Sequence, residues 1–147
     1  MDIPSVDRDV LTSFLASLEH EGIDVDGACA EKSLMDPRDT PGQRILIART
    51  SPVFDAIAEF TGNEEFIYQA STHFNPDQLG ILFYLTKFCQ TKFDANRMVC
   101  RYSAIASDVV RFSFVEHAKS RDVIFSPNPH VYISLHQLEG ILYMDAT

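Results

Sequence analysis

The sequence has few cysteines, and its glycines are scattered. The three cysteines, Cys29, Cys89 and Cys100, are an odd number, lack CxxC spacing and are too few to stabilise a domain of this size through disulfides. The six glycines lie singly along the chain. A phosphate-binding loop needs clustered glycines, so that backbone N–H groups can approach the anion. We therefore expect a reducing compartment and no P-loop or Rossmann nucleotide site.

Long hydrophobic runs are also absent. The longest, residues 81–85, contains five residues, whereas a membrane-spanning helix needs about 20. The first residues lack the basic start and the apolar stretch of a secretory signal. The sequence therefore predicts a cytoplasmic protein with no membrane partner.

Positive charge is scarce and unevenly placed. The 147 residues include 21 acidic and 12 basic side chains, for a formal net charge of −9. This balance disfavours nonspecific binding to nucleic acid, which we do not expect as a partner. Residues 1–39 have a balance of −7, and residues 87–121 have a balance of +4. The two regions either neutralise each other, remain solvated, or form a charged docking surface.

Apolar residues at helical spacing predict most of the secondary structure. Residues 6–21 have the stripe of an amphipathic helix, and residues 53–60 predict a short helix that begins after Ser51. Residues 76–92 are apolar on all sides, which is typical of a buried helix. Residues 95–119 predict one long amphipathic helix. We therefore expect a mainly α, helix-rich single domain over residues 1–147, packed round a central apolar helix at about 76–92, with at most a small sheet or hairpin.

Four segments leave an alternative fold open. Residues 43–49 favour a strand weakly, residues 66–74 fit a strand and a helix equally, and residues 109–115 alternate as a strand would. Residues 122–134 contain a turn-rich centre that could close a small hairpin. The alternative is an α+β domain with strands near 43–49, 66–74, 109–115 and 122–134.

Motifs for catalysis and metal binding are missing. The sequence has no HExxH motif, no closely spaced Cys/His pair and no GxSxG motif. We assign no catalytic residue, no metal ligand and no cofactor, and the sequence leans against an enzyme without deciding the question. Folding could still assemble a site from dispersed polar side chains. The candidates for such a ligand site are His73, Asn75, Ser103 and His130.

The function that the sequence favours is a noncatalytic interaction or regulatory protein. Such a protein, of the adaptor, inhibitor, chaperone or immunity type, would bind another protein through its charge-segregated face or an apolar groove. On the predicted 95–119 helix, one face carries the expected partner-binding residues Arg97, Arg101, Arg111 and Lys119. The alternative is a small enzyme or small-ligand-binding domain with a site of dispersed Ser, His and Asn residues. A homo-oligomer is compatible with either function.

Overall fold

Helices dominate the computed structural model, which describes residues 3–75, 77 and 80–139. Its strands form two separate two-stranded antiparallel sheets, β1–β2 and β3–β4. The prediction of a mainly helical fold with a small sheet is confirmed. The elements are β1 Ser5–Asp7, α1 Arg8–His20, α2 Val25–Glu31, β2 Arg44–Leu46, α3 Ile47–Thr61, α4 Phe66–Ser71, α5 Ile81–Lys87, α6 Lys92–Tyr102, β3 Val110–Glu116 and β4 Arg121–Pro127. Residues 135–139 are also helical.

The first helix forms as its apolar spacing predicts. The Asp7 carboxylate caps α1 by accepting hydrogen bonds from the backbone N–H groups of Asp9 and Val10, at 2.9 and 3.3 Å. Its apolar stripe is buried, including Phe14 and Leu15. The predicted amphipathic helix at 6–21 is therefore confirmed, although it begins two residues later because Ser5 to Asp7 form β1.

The main hydrophobic core lies between α1, α2, α3 and α4. It contains one contiguous set of buried side chains from these helices, from Val6 of β1 and Ile45 of β2, and from Phe74 after α4. The largest members that are fully shielded from solvent are Phe66, Leu15, Leu18, Ile45, Ile57 and Ile67. This part of the molecule holds most of the apolar burial that stabilises the described fold.

The apolar segment at 76–92 does not hold the central place predicted for it. Its described helix, α5, buries Leu82 in a small cluster with Val10 and Ala106. Tyr84 is 63% exposed and Phe88 is 79% exposed, and their rings lie 6.1 Å apart. Periodicity alone predicted burial here, but these aromatic rings contact one another at the surface. Residues 76 and 78–79 lie outside the described part of this segment.

The prediction of one long helix over residues 95–119 is wrong. Helix α6 ends at Tyr102, a short 3-10 turn follows, and β3 begins at Val110. The alternating residues of β3 pair with β4, which places Phe112 opposite Phe125 and Phe114 opposite Val123. The strand alternative is therefore correct for 109–115, and β4 occupies the first part of 122–134. Pairing with β4 outweighs the helical spacing because both strands place aromatic and β-branched side chains on one face, where they are partly buried.

Of the two remaining segments with a strand prediction, 43–49 contains a short strand and 66–74 contains a helix. Residues 44–46 form β2, but the chain turns into α3 at Ile47, so a strand over the whole of 43–49 is wrong. The strand alternative at 66–74 is wrong as well, because α4 is a helix that buries Phe66, Ile67 and Ala70 on one side. Helix α3 also begins earlier than predicted, with Pro52 inside it, and it ends at Thr61, where Gly62 caps it with φ +61°.

Arg44 joins the N-terminal strand to the chain around residue 105. Its guanidinium donates hydrogen bonds to the Ser5 carbonyl oxygen at 3.0 Å, the Ile105 carbonyl oxygen at 2.6 Å and the Asp108 carboxylate at 3.0 Å. Backbone bonds from Asp7 N to Ala106 O and from Asp108 N to Ser5 O complete the contact, at 2.7 and 2.8 Å. Strand β1 thus lies between β2 and residues 106–108.

The acidic N-terminal region neutralises part of its own charge. The Arg38 guanidinium lies 2.7 Å from carboxylate oxygens of both Asp36 and Glu19. Burial and hydrogen bonding compete at Asp36, and the contacts with Arg38 hold the pKa of this carboxyl below its ordinary value. The charge pattern of residues 1–39 therefore includes a local ion-pair network.

The β3–β4 hairpin packs its aromatic face against α6 and against the chain that follows β4. The Phe93 ring of α6 meets the Phe114 ring edge-on at 5.1 Å, and the Arg121 guanidinium lies 3.7 Å from the Phe93 ring centre. Half-buried Phe112 and Phe125 pack, like Ile133 and Leu138, against the buried cluster of Ile47, Val109 and Val110. This packing brings residues 131–139 next to α3. Within the described ranges, no helix has the length and apolar character needed to span a membrane.

Candidate functional site

A cluster of polar side chains lies between α3 and residues 131–139, which we call the strap. Helix α3 supplies hydroxyl and carboxylate groups, and the strap supplies hydroxyl and amide groups. Most of these side chains are buried, and the pairing of each donor with an acceptor offsets the cost of removing it from water. The members of this polar cluster are Thr50, Ser51 and Asp55 of α3 and Tyr132, Ser134 and Gln137 of the strap.

The inner half of the polar cluster is centred on two hydroxyls of α3. Thr50 and Ser51 are fully buried, and Gln137 is almost fully buried. The Gln137 side-chain nitrogen donates to the Thr50 hydroxyl at 2.9 Å, and its side-chain oxygen accepts from the Ser51 hydroxyl. The Ser51 hydroxyl also accepts the backbone N–H of Ser134 at 3.1 Å. The strap therefore uses both its backbone and its side chains to cover this part of α3.

The outer half of the polar cluster is the carboxylate of Asp55. Its Oδ1 accepts the Ser134 hydroxyl at 2.6 Å, and its Oδ2 accepts the Tyr132 hydroxyl at 2.7 Å. Ser51 and Asp55 are four residues apart, so the helix places both on one side of α3. One carboxylate thus receives two hydroxyl donors, one on each oxygen.

One polar atom of the strap has no hydrogen-bond partner within the described structure. The Nδ1 atom of His136 is buried, and a Glu139 carboxylate oxygen lies 3.6 Å away, beyond hydrogen-bond distance. The His136 ring packs instead against the Phe66 ring, with 5.5 Å between the ring centres. The strap therefore combines well-paired polar groups with one group that costs free energy to bury.

The hydrogen bond to Asp55 should be visible in the titration of Tyr132. This bond, followed by the nearby negative charge and by burial, raises the pKa of Tyr132 above its ordinary value. Because the pKa is raised in the folded state, the stabilisation from this contact is present below the ordinary tyrosine pKa and is lost as pH rises through the raised one. We expect the Tyr132 phenol, measured as the absorbance difference between wild type and Tyr132→Phe, to titrate above the ordinary tyrosine range.

Two further variants check this expectation. Asp55→Asn should return the Tyr132 titration towards the ordinary tyrosine pKa, because it removes the negative charge that opposes ionisation. Tyr84→Phe removes an exposed tyrosine elsewhere and should leave the high-pH transition in place. A Tyr132 titration that Asp55→Asn does not shift would contradict the contact between the two side chains.

The four residues predicted as a dispersed ligand site contact different neighbours. His73 Nε2 lies 2.6 Å from a Glu21 carboxylate oxygen, and Asn75 Oδ1 accepts the backbone N–H of Asp77. Ser103 begins the 3-10 turn after α6, and the backbone N–H of His130 donates to the Asn128 side chain. A shared ligand site for His73, Asn75, Ser103 and His130 stays a prediction.

The four cationic residues predicted on one helical face lie on three different elements. Arg97 and Arg101 are on α6, Arg111 is on β3, and Lys119 lies in the connection from β3 to β4. The Arg97 guanidinium lies 5.7 Å from the Phe93 ring centre, and the Arg101 guanidinium lies 5.4 Å from that of Tyr102. The prediction that these four cations share one face of a single helix is therefore wrong, because residues 95–119 do not form one helix.

The sequence analysis missed the polar cluster. Ser51 fits a helix cap before Pro52, but its hydroxyl instead contacts the strap. The available signal was a Thr50-Ser51 pair followed by Asp55 within a segment whose other side chains are mostly apolar. Across residues 3–75, 77 and 80–139, no group of three or more His, Cys, Asp or Glu residues has the arrangement of a metal site.

Comparison with protein families identifies the chain. A family model described as the arabinose-binding domain of AraC transcription regulator, N-term, matches residues 22–144. The match covers more than four fifths of the sequence. The chain belongs to this family. No curated protein gives a significant match. The family match extends from before α2 to beyond the strap, so it includes every residue of the polar cluster.

Membership of this family corrects the favoured function. The prediction of a noncatalytic protein-interaction function is wrong, because the family is a small-ligand-binding domain. The findings support the alternative of small-ligand binding, and the regulatory character predicted from the sequence agrees with the family description. The prediction failed because it depended on missing catalytic motifs, which an interaction protein and a ligand-binding domain lack equally.

Proposed function

We propose that this chain is the ligand-sensing domain of an AraC-type transcription regulator, that it binds a small molecule carrying several hydroxyl groups, and that it acts in the cytoplasm. The observation that carries this proposal is the family match over residues 22–144. A regulator of transcription acts where the DNA is, which supports the cytoplasmic location.

The polar cluster is the site that we propose for the ligand. Small-molecule sites combine apolar walls with a few placed polar groups that orient the ligand. Thr50, Ser51 and Asp55 provide hydroxyl and carboxylate groups on one helix, next to the apolar cluster of Ile47, Val109 and Val110. Hydroxyl groups both donate and accept hydrogen bonds, so they can pair with all three of these side chains.

Calorimetric titration tests the proposed function. We expect one or more simple sugars, from a panel that includes L-arabinose, D-xylose, D-ribose and D-galactose, to bind the wild-type protein saturably. Asp55→Ala should weaken this binding at least tenfold, because a hydrogen bond to a charged group contributes about 1.5–3 kcal/mol. Cyclohexanol, which has a single hydroxyl, should bind much more weakly than the best sugar.

A matched variant controls for the loss of a negative charge. Asp122→Ala removes an exposed carboxylate at the start of β4, where Asp122 contacts His117, and it should leave sugar binding unchanged. If no member of the panel binds the wild-type protein saturably, the proposed function is wrong. If sugars bind equally well to Asp55→Ala, the function stands and the site assigned to it is wrong.

A further inference from the structure

The strap presents to Asp55 the pattern of hydroxyl groups that a sugar would present. Two hydroxyls, from Tyr132 and Ser134, donate to different oxygens of the one carboxylate at 2.7 and 2.6 Å. Two neighbouring hydroxyls of a polyol can donate to a carboxylate in the same way, since its two oxygens lie side by side and both accept. The binding groups of α3 are thus occupied by the chain's own side chains.

While the strap is packed against α3, it also shields the inner half of the polar cluster from solvent and from ligands. Thr50, Ser51 and Ser134 have no exposed surface, and Gln137 retains almost none. A ligand cannot reach the Ser51 hydroxyl while the Ser134 backbone and the Gln137 side chain cover it. Binding at Thr50 and Ser51 therefore requires the strap to move.

The strap is attached in a way that permits such movement. Among the described residues, each hydrogen bond between the strap and α3 involves a side chain, in contrast to the backbone ladder that joins β3 to β4. Tyr132 and Leu135 are mostly exposed, and the buried Nδ1 atom of His136 has no hydrogen bond within the described part of the chain. The apolar side chains by which the strap packs, Val131, Ile133 and Leu138, are only partly buried, and a segment attached in this way opens at a smaller cost than a core element.

We propose that the strap is an internal competitor for the ligand site, and that a ligand with adjacent hydroxyl groups displaces Tyr132, Ser134 and Gln137 from α3. This inference rests on the proposed function and adds a regulatory step to it. Binding and strap release are coupled, because both use the same oxygens of Asp55 and the same hydroxyl of Ser51. The ligand's apparent affinity is then reduced by the small fraction of molecules in which the strap is open.

The double variant Tyr132→Phe/Ser134→Ala tests the competition. It removes the two hydroxyls that donate to Asp55 and keeps every α3 group that would hold the ligand. We expect the dissociation constant for the best-binding sugar of the panel to fall about tenfold or more, because the strap loses the two hydrogen bonds with which it competes for Asp55. Tyr84→Phe/Ser126→Ala makes the same chemical changes at exposed positions on α5 and β4, and it should leave the constant unchanged.

Hydrogen exchange of the strap amides supplies a second readout. Saturating sugar should speed the exchange of the Ser134 amide in the wild-type protein, because release of the strap breaks its bond to the Ser51 hydroxyl. The Tyr132→Phe/Ser134→Ala variant should show faster exchange of the backbone amide at position 134 without sugar, because this amide donates to the Ser51 hydroxyl only while the strap is attached. Slower exchange on sugar binding would mean that the strap closes over the ligand, and it would overturn the proposal.

The two proposals fail in different ways. Sugar binding that is equally strong in the wild type and in Tyr132→Phe/Ser134→Ala would overturn the competition and leave the proposed function standing. If no sugar binds either protein, both are overturned. A gain in affinity limited to the strap variant, together with faster strap exchange on binding, is the result that supports an internal competitor.

Discussion

Replacing Phe66 with alanine should lower the free energy of unfolding by about 3–5 kcal/mol, the cost typical of removing a large aromatic side chain from a packed core. Phe66 is fully buried within the main core between α1 and α4, and its ring also supports the His136 ring of the strap at 5.5 Å. The substitution leaves a cavity that the surrounding helices can fill only in part. Urea unfolding followed by circular dichroism measures the loss.

Phe88 provides the matched control for this substitution. The same change, Phe88→Ala, removes a ring that is 79% exposed just beyond α5 and contacts the Tyr84 ring. We expect it to change the free energy of unfolding by less than about 1 kcal/mol, as surface substitutions usually do. If Phe66→Ala and Phe88→Ala lowered the free energy of unfolding equally, the burial of Phe66 in the main core and the exposure of Phe88 would both be contradicted.

Replacing Gln137 with leucine should lower the free energy of unfolding by about 2–3 kcal/mol, because two buried hydroxyl groups each lose one of their hydrogen-bond partners. In the wild type, the Gln137 amide pairs with the Thr50 and Ser51 hydroxyls, both of which are fully buried. Leucine fills a similar volume but neither donates nor accepts a hydrogen bond. Thermal or urea unfolding of the variant measures the cost.

The pairing with Thr50 can be isolated with a double variant. Thr50→Val keeps the shape of the side chain and removes its hydroxyl, so Thr50→Val/Gln137→Leu places two apolar groups against each other. We expect the loss in the double variant to be smaller than the sum of the two single losses by about 1 kcal/mol. Losses that simply add would show that the two side chains do not interact in solution.

Local patterns predicted the elements whose packing partners are close in sequence. The stripe of α1 is determined by its own spacing, and its burial needs only that some apolar surface lies opposite. At β3 the same apolar residues fit a helix and a strand. The choice depends on β4, which begins five residues after β3 ends and pairs with it along its whole length. A helical period counted within one segment contains no information about such a partner.

The polar cluster could not be predicted because its halves are far apart in the sequence. The residues of α3 and of the strap that contact each other are separated by 77 to 87 positions. Taken singly, Ser51 resembles a cap and Gln137 resembles part of a capping box. Only the fold places them within hydrogen-bond distance. Likewise, only the fold shows that His73 and Ser103, which were grouped by residue type, contact different neighbours.

The attachment of β1 to residues 106–108 bears on the order in which the chain folds. The bond from Ser5 N to the Asp108 carboxylate joins residues 103 positions apart, and the chain entropy lost on closing a loop increases with its length. The core between α1 and α4 closes shorter loops. Contacts over short separations generally form sooner. We infer that the helical core assembles before Asp108 secures β1, so the contact between β1 and residues 106–108 is among the last to form.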